Sequence, residues 1–242
     1  MADVQLKDVY PVPEKLKKSA WVAGRAAYDK LWKRSIEDPS GFWAEVAGEY
    51  VEWFKKWDKV MDYNFDIRKG PIYVKFFEGG KLNVSYNCLD RHLSTRGDKI
   101  AIQFEGNEPG DDRALTYKQL HAEVCKFANV LKSLGVKKGD RVAVLAVNST
   151  DILETQFACF RLGAIFTPLN IRLTVHELAF IISDAAPALL VHDGDFASMA
   201  AELQKLCNTP HLLSYGAAYE KAVAYEETHE GPITHPRHVK AW

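Results

Sequence analysis

Val, Ile and Leu cluster in short runs along the second half of the chain, and amphipathic segments separate these runs. Three examples are residues 141–147 ("RVAVLAV"), 164–170 ("AIFTPLN") and 188–193 ("ALLVHD"). Runs of this kind are typical of strands that are buried on both faces. Their regular alternation with helical segments predicts an α/β fold, with a mostly parallel sheet that is covered by helices on both faces.

The remaining strands and helices of this region follow from the same pattern. Further strands are predicted at residues 99–106 and 211–214. Helices are predicted at residues 83–97, 115–135, 151–163, 175–185 and 196–207, and near Tyr219.

Capping residues support two of these helices. Thr116 and Gln119 have capping-box spacing before the helix at 115–135, and Gly135 stands where a left-handed C-cap is favoured. Thr174 and Glu177 repeat the capping box before the helix at 175–185. The segment 107–114 ("NEPGDDRA") is predicted as a turn.

Aromatic residues dominate the segment from Tyr28 to Trp57. A first helix is predicted to carry Tyr28, Leu31, Trp32 and Ile36, and "DPSG" at 38–41 separates it from a second helix with Trp43, Val46, Ala47, Tyr50, Phe54 and Trp57 on one face. Aromatic residues beside Lys55 and Lys56 could stack on nucleic-acid bases. We favour a helical layer that packs on a neighbouring domain. Residues 62–82 are predicted as a loop and a strand.

Composition and charge narrow the possible partners. The chain has 242 residues, of which 47% are hydrophobic, and its 31 basic and 32 acidic side chains leave a formal charge of −1. This balance favours neither nucleic acid nor anionic lipid as a partner. The four cysteines are far apart without a C-x-x-C pair, which argues against a disulfide scaffold and a zinc site. The sequence has no recognisable signal peptide or membrane span, and we expect a cytoplasmic protein.

The carboxyl ends of the predicted strands are the expected place for a ligand. Parallel sheets bind ligands there, at the point where strand order reverses. Pro168 would fix the direction in which the chain leaves one strand, and Asn148 or Asn170 could cap the next helix. For each residue taken singly, the favoured interpretation is that it serves only the connection.

Other clusters of polar residues give weaker indications. His192, Asp193 and Asp195 follow a strand, and Asp195 is favoured as a helix N-cap over a metal ligand. His229, His235 and His238 could chelate a metal, but an exposed linker is the favoured interpretation. Cys159 is predicted to lie in the core. No G-x-G-x-x-G follows a strand, which argues against a dinucleotide dehydrogenase.

Several motifs carry a family resemblance. The segments "YNFD" (63–66), "NVSYNCLDRH" (83–92), "EGNEPGDDRALTYKQL" (105–120) and "LKSLGVKKGDRVAV" (131–144) resemble the N-terminal half of acetyl-CoA synthetases, which are adenylate-forming acyl-CoA ligases. The helical segment before Asn83 resembles the N-terminal cap of the acetate and propionate enzymes. After about residue 157 the sequence is more similar to the fatty-acid and aryl-acid CoA ligases. "LTYKQL" and "RLGAIFTPLN" are similar to the first two core motifs of the superfamily.

The resemblance implies AMP-forming ligase chemistry. Such enzymes join a carboxylate to coenzyme A with ATP and Mg²⁺, by way of an acyl adenylate, and release AMP and pyrophosphate. The resemblance also implies a Ser/Thr/Gly-rich phosphate loop, an acidic motif for the metal, an Asp for the ribose and a catalytic Lys, yet no "TSGTTG"-like run occurs in the 242 residues. We therefore assign no catalytic residue, no cofactor-binding residue and no metal ligand.

These features predict four segments. Residues 1–24 are a flexible lead-in, 25–82 an acetyl-CoA-synthetase-type helical cap, 83–228 a partial AMP-binding domain with an incomplete sheet, and 229–242 a linker toward a missing phosphate loop.

Three hypotheses on function remain open. The leading one is the N-terminal part of an acyl-CoA synthetase that is inactive alone and needs a missing C-terminal portion or a full-length ligase as its partner. The alternatives are a non-catalytic interaction module that binds a full-length ligase, and a nucleotide- or CoA-binding domain without ligation chemistry. Because the partial sheet would expose an unpaired edge, we expect a marginally stable or self-associating chain.

Overall fold

The computed structural model of the protein describes residues 12–216, Tyr219 and the backbone of residues 239–240. Residues 1–11 of the predicted lead-in lie outside the described residues. So do 229–238 and 241–242 of the predicted linker, with His229, His235 and His238, and most of the predicted helix near Tyr219. The predictions for those residues stay predictions.

The chain divides into two compact units. The first comprises the described residues up to Glu52 together with Trp57–Glu78, and the second comprises Trp53–Lys56 together with the described residues from Gly79 onward. The predicted boundary between residues 82 and 83 stays a prediction. None of the helices in the described ranges combines the length and the apolar character that a membrane crossing requires.

The first unit contains three helices and a hairpin. The helices are α1 (Glu14–Ser19), α2 (Arg25–Glu37) and α3 (Pro39–Tyr50), and the hairpin pairs β1 (Lys59–Asn64) with β2 (Tyr73–Glu78) in antiparallel register. The predicted break between the two helices at "DPSG" is confirmed. Asp38 caps α3 by accepting a hydrogen bond from the Gly41 N–H (3.0 Å), and Pro39 is the first residue of α3. Residues 62–64, at the start of the segment that was predicted as a loop and a strand, form the end of β1.

The predicted helix that extends to Trp57 is wrong beyond Tyr50. Val51 takes an extended conformation, so that α3 ends there. In the second unit the Phe54 N–H donates to the Lys81 carbonyl (2.8 Å), and Lys55 forms an antiparallel bridge with Lys81. Pairing with a distant strand therefore replaces the helix that the local spacing favours.

The second unit begins with short elements. β3 (Lys81–Leu82) pairs antiparallel with β10 (Val239–Lys240). The helix predicted at 83–97 is in fact two short helices, α4 (Val84–Cys88) and α5 (Leu93–Arg96), with a 3₁₀ turn between them. Leu89 breaks the helix because its backbone leaves the helical region (φ −121°, ψ −66°) while its side chain is buried.

An antiparallel hairpin precedes the longest helix. β4 (Ile100–Glu105) is present as predicted. β5 (Asp112–Thr116) takes the last three residues of the predicted turn and the first two of the predicted helix, and its first residues are polar. The two strands pair from Ile100 opposite Thr116 to Glu105 opposite Asp112.

A parallel sheet with the strand order β7-β6-β8-β9 forms the centre of the second unit, which confirms the predicted α/β fold. Its strands are β6 (Arg141–Leu145), β7 (Ile165–Pro168), β8 (Leu189–His192) and β9 (His211–Ser214). The helices are α6 (Tyr117–Ser133), α7 (Thr150–Leu162), α8 (Val175–Ala185) and α9 (Ala197–Cys207).

Both faces of the sheet are buried, as the apolar strands predicted. Val142 and Val144 of β6 belong to one apolar cluster, which includes residues of α6 and α7. The alternate residues Ala143 and Leu145 belong to a second cluster with residues of α8 and α9. Side chains of a strand alternate between faces, so this division places one helical pair on each side of the sheet.

The capping box of α6 is present as predicted. Thr116 accepts from the Gln119 N–H (3.2 Å) while the Gln119 side chain accepts from the Thr116 N–H (2.9 Å), and Gly135 follows the helix with φ +78°. Replacing Thr116 by Ala is expected to cost about 1 kcal/mol of unfolding free energy, because one N-terminal N–H of α6 loses its partner. Urea denaturation checks this value, with Thr116→Ser as the control that keeps the cap. Equal midpoints for the Ala and Ser variants would contradict it.

Candidate functional site

The carboxyl edge of the parallel sheet is the candidate site. The chain passes from β6 to β7 on one side and then crosses to β8 on the other side, so the strand order reverses between β6 and β8. Ligands of doubly wound proteins bind outside the strand ends at such a point. In the described part of this edge, residues 146–149 follow β6 and residues 193–196 follow β8.

Asp193 joins the ends of these two strands. Its Oδ2 accepts from the Val147 N–H (2.9 Å), and its Oδ1 accepts from the Asp195 N–H (3.1 Å) at the start of a 3₁₀ turn. The prediction that Asp195 is the N-cap is therefore wrong by two residues: Asp193 is the cap, because its backbone is still extended (φ −84°, ψ 171°). His192 is buried, and its Nδ1 lies 2.7 Å from the Asp193 carbonyl oxygen.

The predicted asparagine caps are also replaced by neighbouring residues. Ser149 caps α7 by accepting from the Ile152 N–H (3.4 Å), so Asn148 does not. Thr174 caps α8 through the predicted capping box with Glu177. Asn170 instead accepts from the Arg172 N–H (3.0 Å) in the connecting turn. Pro168 is the last residue of β7, as predicted.

These polar groups do not fit a triphosphate. A phosphate site needs backbone N–H groups or cations that point at the ligand. At the described strand ends, the Asp193 carboxylate and the Ser149 hydroxyl already bind backbone N–H groups of the chain itself. Asp193 also adds a negative charge that opposes a phosphate. The described groups that follow β6 and β8 therefore do not form a phosphate site.

A buried acidic cluster lies where α7 begins, next to this edge. Glu154 is 1% exposed, and its Oε2 accepts a hydrogen bond from the Tyr219 hydroxyl (3.0 Å). Its Oε1 meets the Arg113 Nη2 at 3.3 Å, an ion-pair distance without hydrogen-bond geometry. Arg113 also donates to the Thr150 hydroxyl (2.5 Å) and to Asp151 (3.2 Å). The cluster thus connects β5 to α7.

The environment of Glu154 changes its acidity. Burial raises the pKa of the Glu154 carboxyl to about 7, and the Arg113 charge opposes this rise while the Asp151 charge adds to it. Burial likewise raises the pKa of Tyr219 well above its usual value, and the Glu154 charge adds to the effect. Glu154 consequently changes its charge near neutral pH, while Tyr219 stays a neutral donor.

A second buried polar cluster holds α7 against the segment that precedes β4. The side chain of Arg161 is 0% exposed, and its Nη1 donates to both carboxylate oxygens of Asp90 (2.9 and 3.0 Å). Asn83 donates to the carbonyls of Phe160 and Arg161 (2.9 and 3.2 Å). These bonds span more than 70 residues of sequence and anchor the C-terminal half of α7.

His121 completes this second cluster. Its Nε2 lies 3.2 Å from Asp90 Oδ1 and 3.6 Å from the Cys125 Sγ. The hydrogen bond to Asp90 and the contact with Cys125 raise the pKa of His121 to about 9, despite its burial. Burial alone would raise the pKa of Asp90, but hydrogen bonds from His121 and Arg161 lower it on balance. The Cys125 Sγ lies 3.6 Å from Nε2, which also faces Asp90, and 3.9 Å from Nδ1. The sulfur is therefore not aligned with one nitrogen of its own, as it would be in a Cys–His–Asp triad.

Sequence reasoning missed Glu154, Arg161 and their partners. The signal that could have found them is their position: both lie on the buried stripe of α7 together with Ala158 and Leu162. A charged residue on an apolar stripe requires a buried partner. The partners Asp90 and Arg113 lie on elements whose placement the sequence pattern did not determine.

The predicted role of Cys159 can also be compared with the structure. Cys159 is fully buried, and burial raises the pKa of its thiol far above the usual value, so it is a core residue as predicted. All four cysteines carry free thiols. Within the described ranges, no group of three or more His, Cys, Asp or Glu side chains is arranged to hold a metal ion.

Comparison with known proteins agrees with this architecture. Residues 89–240 match the family described as AMP-binding enzyme, and residues 28–88 match the family described as acetyl-coenzyme A synthetase N-terminus. Because the first match covers more than half of the chain, the chain belongs to the AMP-binding enzyme family.

Individual relatives point to one branch of that family. The chain is 51% identical over 165 residues to an acetyl-coenzyme A synthetase of Magnetococcus marinus, a match that covers 68% of this chain and 24% of that protein. It is 45% identical over 176 residues to an acetyl-coenzyme A synthetase of Syntrophus aciditrophicus, with 70% of this chain and 26% of that protein covered. The chain thus spans about a quarter of the length of the curated relatives it matches. The predicted shift toward fatty-acid and aryl-acid ligases after residue 157 stays a prediction.

Proposed function

We propose that this chain provides the N-terminal portion of an ATP-dependent, AMP-forming acyl-CoA synthetase. The reaction joins a carboxylic acid, with acetate or another short-chain acid as the proposed substrate, to coenzyme A and releases AMP and pyrophosphate. One observation carries the proposal: a segment that matches the acetyl-coenzyme A synthetase N-terminus is followed directly by one that matches the AMP-binding enzymes. The free thiols of all four cysteines support a reducing, cytoplasmic location.

Groups from another segment or chain would hold ATP, Mg²⁺ and coenzyme A. Adenylation places negative charge on a triphosphate, which needs N–H donors or cations aimed at it. Asp193 and Ser149, at the described strand ends, bind their own backbone instead. Ligation therefore requires a partner, either the portion that corresponds to the rest of the relatives or a full-length ligase, and the chain alone is inactive.

The two edges of the parallel sheet differ in their capacity to accept a partner strand. The backbone N–H groups of Ile165 and Leu169 donate toward β6. The peptide groups of Phe166 and Pro168 therefore face outward, and Pro168 has no N–H that could bind a partner strand. At the other edge, the Tyr215 N–H donates to the His192 carbonyl of β8 (2.7 Å). The N–H and C=O groups of Leu212 and Ser214 in β9 therefore face outward. Among the described edges, β9 is the one that can be extended without interruption, and we assign the partner strand to it.

Replacing Ser214 by Pro is expected to weaken association about tenfold relative to Ser214→Ala, because one outward N–H is lost while the bonds to β8 remain. The probe is the Magnetococcus marinus acetyl-coenzyme A synthetase without the segment that matches this chain. Analytical ultracentrifugation measures the affinity. Equal affinity of the two variants would show that β9 does not carry the partner.

The interaction-module alternative has a specific observation in its favour. A groove of about 630 Å³ lies between α8 and α9, lined by Val175, Ala179, Phe180, Leu206 and Cys207 among others. The Phe180 side chain on its rim is 77% exposed. Exposed aromatic residues beside an apolar groove are common at protein interfaces. In this alternative the groove binds a full-length ligase and the chain performs no chemistry.

ATP–pyrophosphate exchange tests the proposed function. The assay uses acetate, propionate and longer acids, with the chain alone and with the truncated relative added. We expect exchange only in the mixture, and strongest with acetate. Association without any exchange would favour the interaction module, and exchange by the chain alone would refute the requirement for a partner.

A further inference from the structure

The Glu154 carboxyl group and the Tyr219 phenol form an enclosed pair that the proposed function does not explain. Tyr219 is 2% exposed, and its ring packs against Phe127 (4.8 Å between ring centroids) and Tyr215 (5.4 Å). Tyr215 in turn bonds the Thr155 hydroxyl (2.7 Å), one residue beyond Glu154. The buried carboxyl group thus binds one of two tyrosines whose rings pack on each other.

The charged and titratable groups around Glu154 come from four parts of the second unit. They are Arg113 from β5, Asp151 from α7, Glu123 from α6, and Tyr215 and Tyr219 from the segment after β9. Glu123 is itself paired with Lys126 (3.1 Å). Arg113 divides its donors among Thr150, Asp151 and Glu154, so its charge compensates an ionised Glu154 only in part.

We propose that Glu154 and Tyr219 form a pH-sensitive latch at the carboxyl edge of the sheet. While the carboxyl group is protonated, the phenol stays packed on α7. When the proton is lost, the Tyr219 hydroxyl and Arg113 offset the cost of the buried charge only in part. Departure of the Tyr219 ring then admits water, which replaces the phenol as donor and hydrates the carboxylate. Opening thus exchanges aromatic packing for hydration of a charge.

The direction and size of the effect follow from linkage. With the latch closed the pKa of Glu154 is raised to about 7 by burial, and with water admitted it returns toward the ordinary value of 4.5. The closed state binds the proton more tightly, so rising pH favours the open state. Between pH 5 and pH 8 the opening constant increases by up to about 70-fold.

The latch is placed where it can affect a ligand. Glu154 lies one turn into α7, and α7 follows directly from the strand end at the reversal of strand order. Tyr215, which packs on Tyr219, follows the end of β9 directly and so lies at the same edge of the sheet. A change near neutral pH would therefore alter the surface at which this class of fold binds ligands. The inference stands independently of the proposed ligase function.

Hydrogen exchange tests the latch. The exchange of a peptic peptide that contains Tyr215 and Tyr219 is measured by mass spectrometry between pH 5 and pH 8 and corrected for intrinsic rates. We expect protection to fall by up to about 70-fold in the native chain and to stay flat in Glu154→Gln. Glu123→Gln is the matched control, since it removes a nearby carboxylate that does not bind Tyr219, and it should keep the pH dependence.

A second measurement uses only the native chain, so it tests the latch even if a variant folds poorly. Carbon-13 NMR of the native chain, with labelled glutamate, follows the titration of the Glu154 carboxyl directly. A midpoint between pH 6 and pH 7 together with the loss of protection supports the latch. Protection that does not depend on pH, an equal fall in Glu154→Gln, or a Glu154 midpoint near 4.5 would overturn it.

Discussion

Replacing Asp90 by Ala is expected to lower the unfolding free energy of the second unit by about 3–5 kcal/mol. Arg161 is fully buried, and Asp90 accepts from it with both carboxylate oxygens. Without Asp90 the guanidinium charge remains buried with its main compensating charge removed. Since domains are stable by about 5–15 kcal/mol, this single change would remove a large part of the stability of the unit.

Urea denaturation at pH 7 measures the loss. The matched control is Asp98→Ala, which removes an exposed carboxylate that pairs with Lys118 (2.9 Å) and should cost less than about 1 kcal/mol. The double variant Asp90→Leu with Arg161→Met removes both charges and should be more stable than Asp90→Ala alone. A loss below about 1 kcal/mol for Asp90→Ala would show that the buried pair does not anchor α7.

Replacing Glu154 by Gln is expected to stabilise the second unit by roughly 3 kcal/mol at pH 8 and to change little at pH 4. The pKa of Glu154 is raised by burial from 4.5 to about 7, so the native state holds a proton that the unfolded chain has already lost. Native stability therefore falls as pH rises from 4.5 to 7 and stays lower above pH 7. Gln keeps the shape of the side chain without a charge to bury.

Unfolding free energies at pH 5 and pH 8 check this prediction. A smaller pH dependence remains in Glu154→Gln because the pKa of His121 is raised to about 9, mainly by its bond to Asp90. That stabilisation is fully present below pH 6.5 and is lost as pH rises through 9. Glu123→Gln serves as the control. An identical difference between pH 5 and pH 8 in native protein and Glu154→Gln would contradict the assignment.

The parts of the fold that the sequence predicted correctly are those governed by local patterns. The helix α6 and its capping box depend on spacing within about 20 residues, and the buried strands β6 and β8 are continuous apolar runs. The errors occur where distant pairing decides the structure. Lys55 pairs with Lys81 instead of continuing a helix, and the polar strand β5 exists because β4 offers it a partner.

The candidate site also combines features that local patterns predict with features that depend on distant contacts. The carboxyl edge could be located because strand order and alternation define it, but the residues that occupy it could not be assigned correctly. Asp193 acts as the cap in place of Asp195 because it alone still has extended backbone. Glu154 and Arg113 are 41 positions apart in the sequence, and only the packing of β5 against α7 brings them within 3.3 Å.

Calorimetric titration of the chain with ATP in the presence of Mg²⁺ tests the central claim most directly. That claim is that the described edge of the sheet positions a ligase site while its polar groups already bind the chain itself. It predicts no saturable heat of binding for the chain alone, with the truncated relative restoring binding in the mixture. Stoichiometric binding of ATP to the chain alone with micromolar affinity would contradict it.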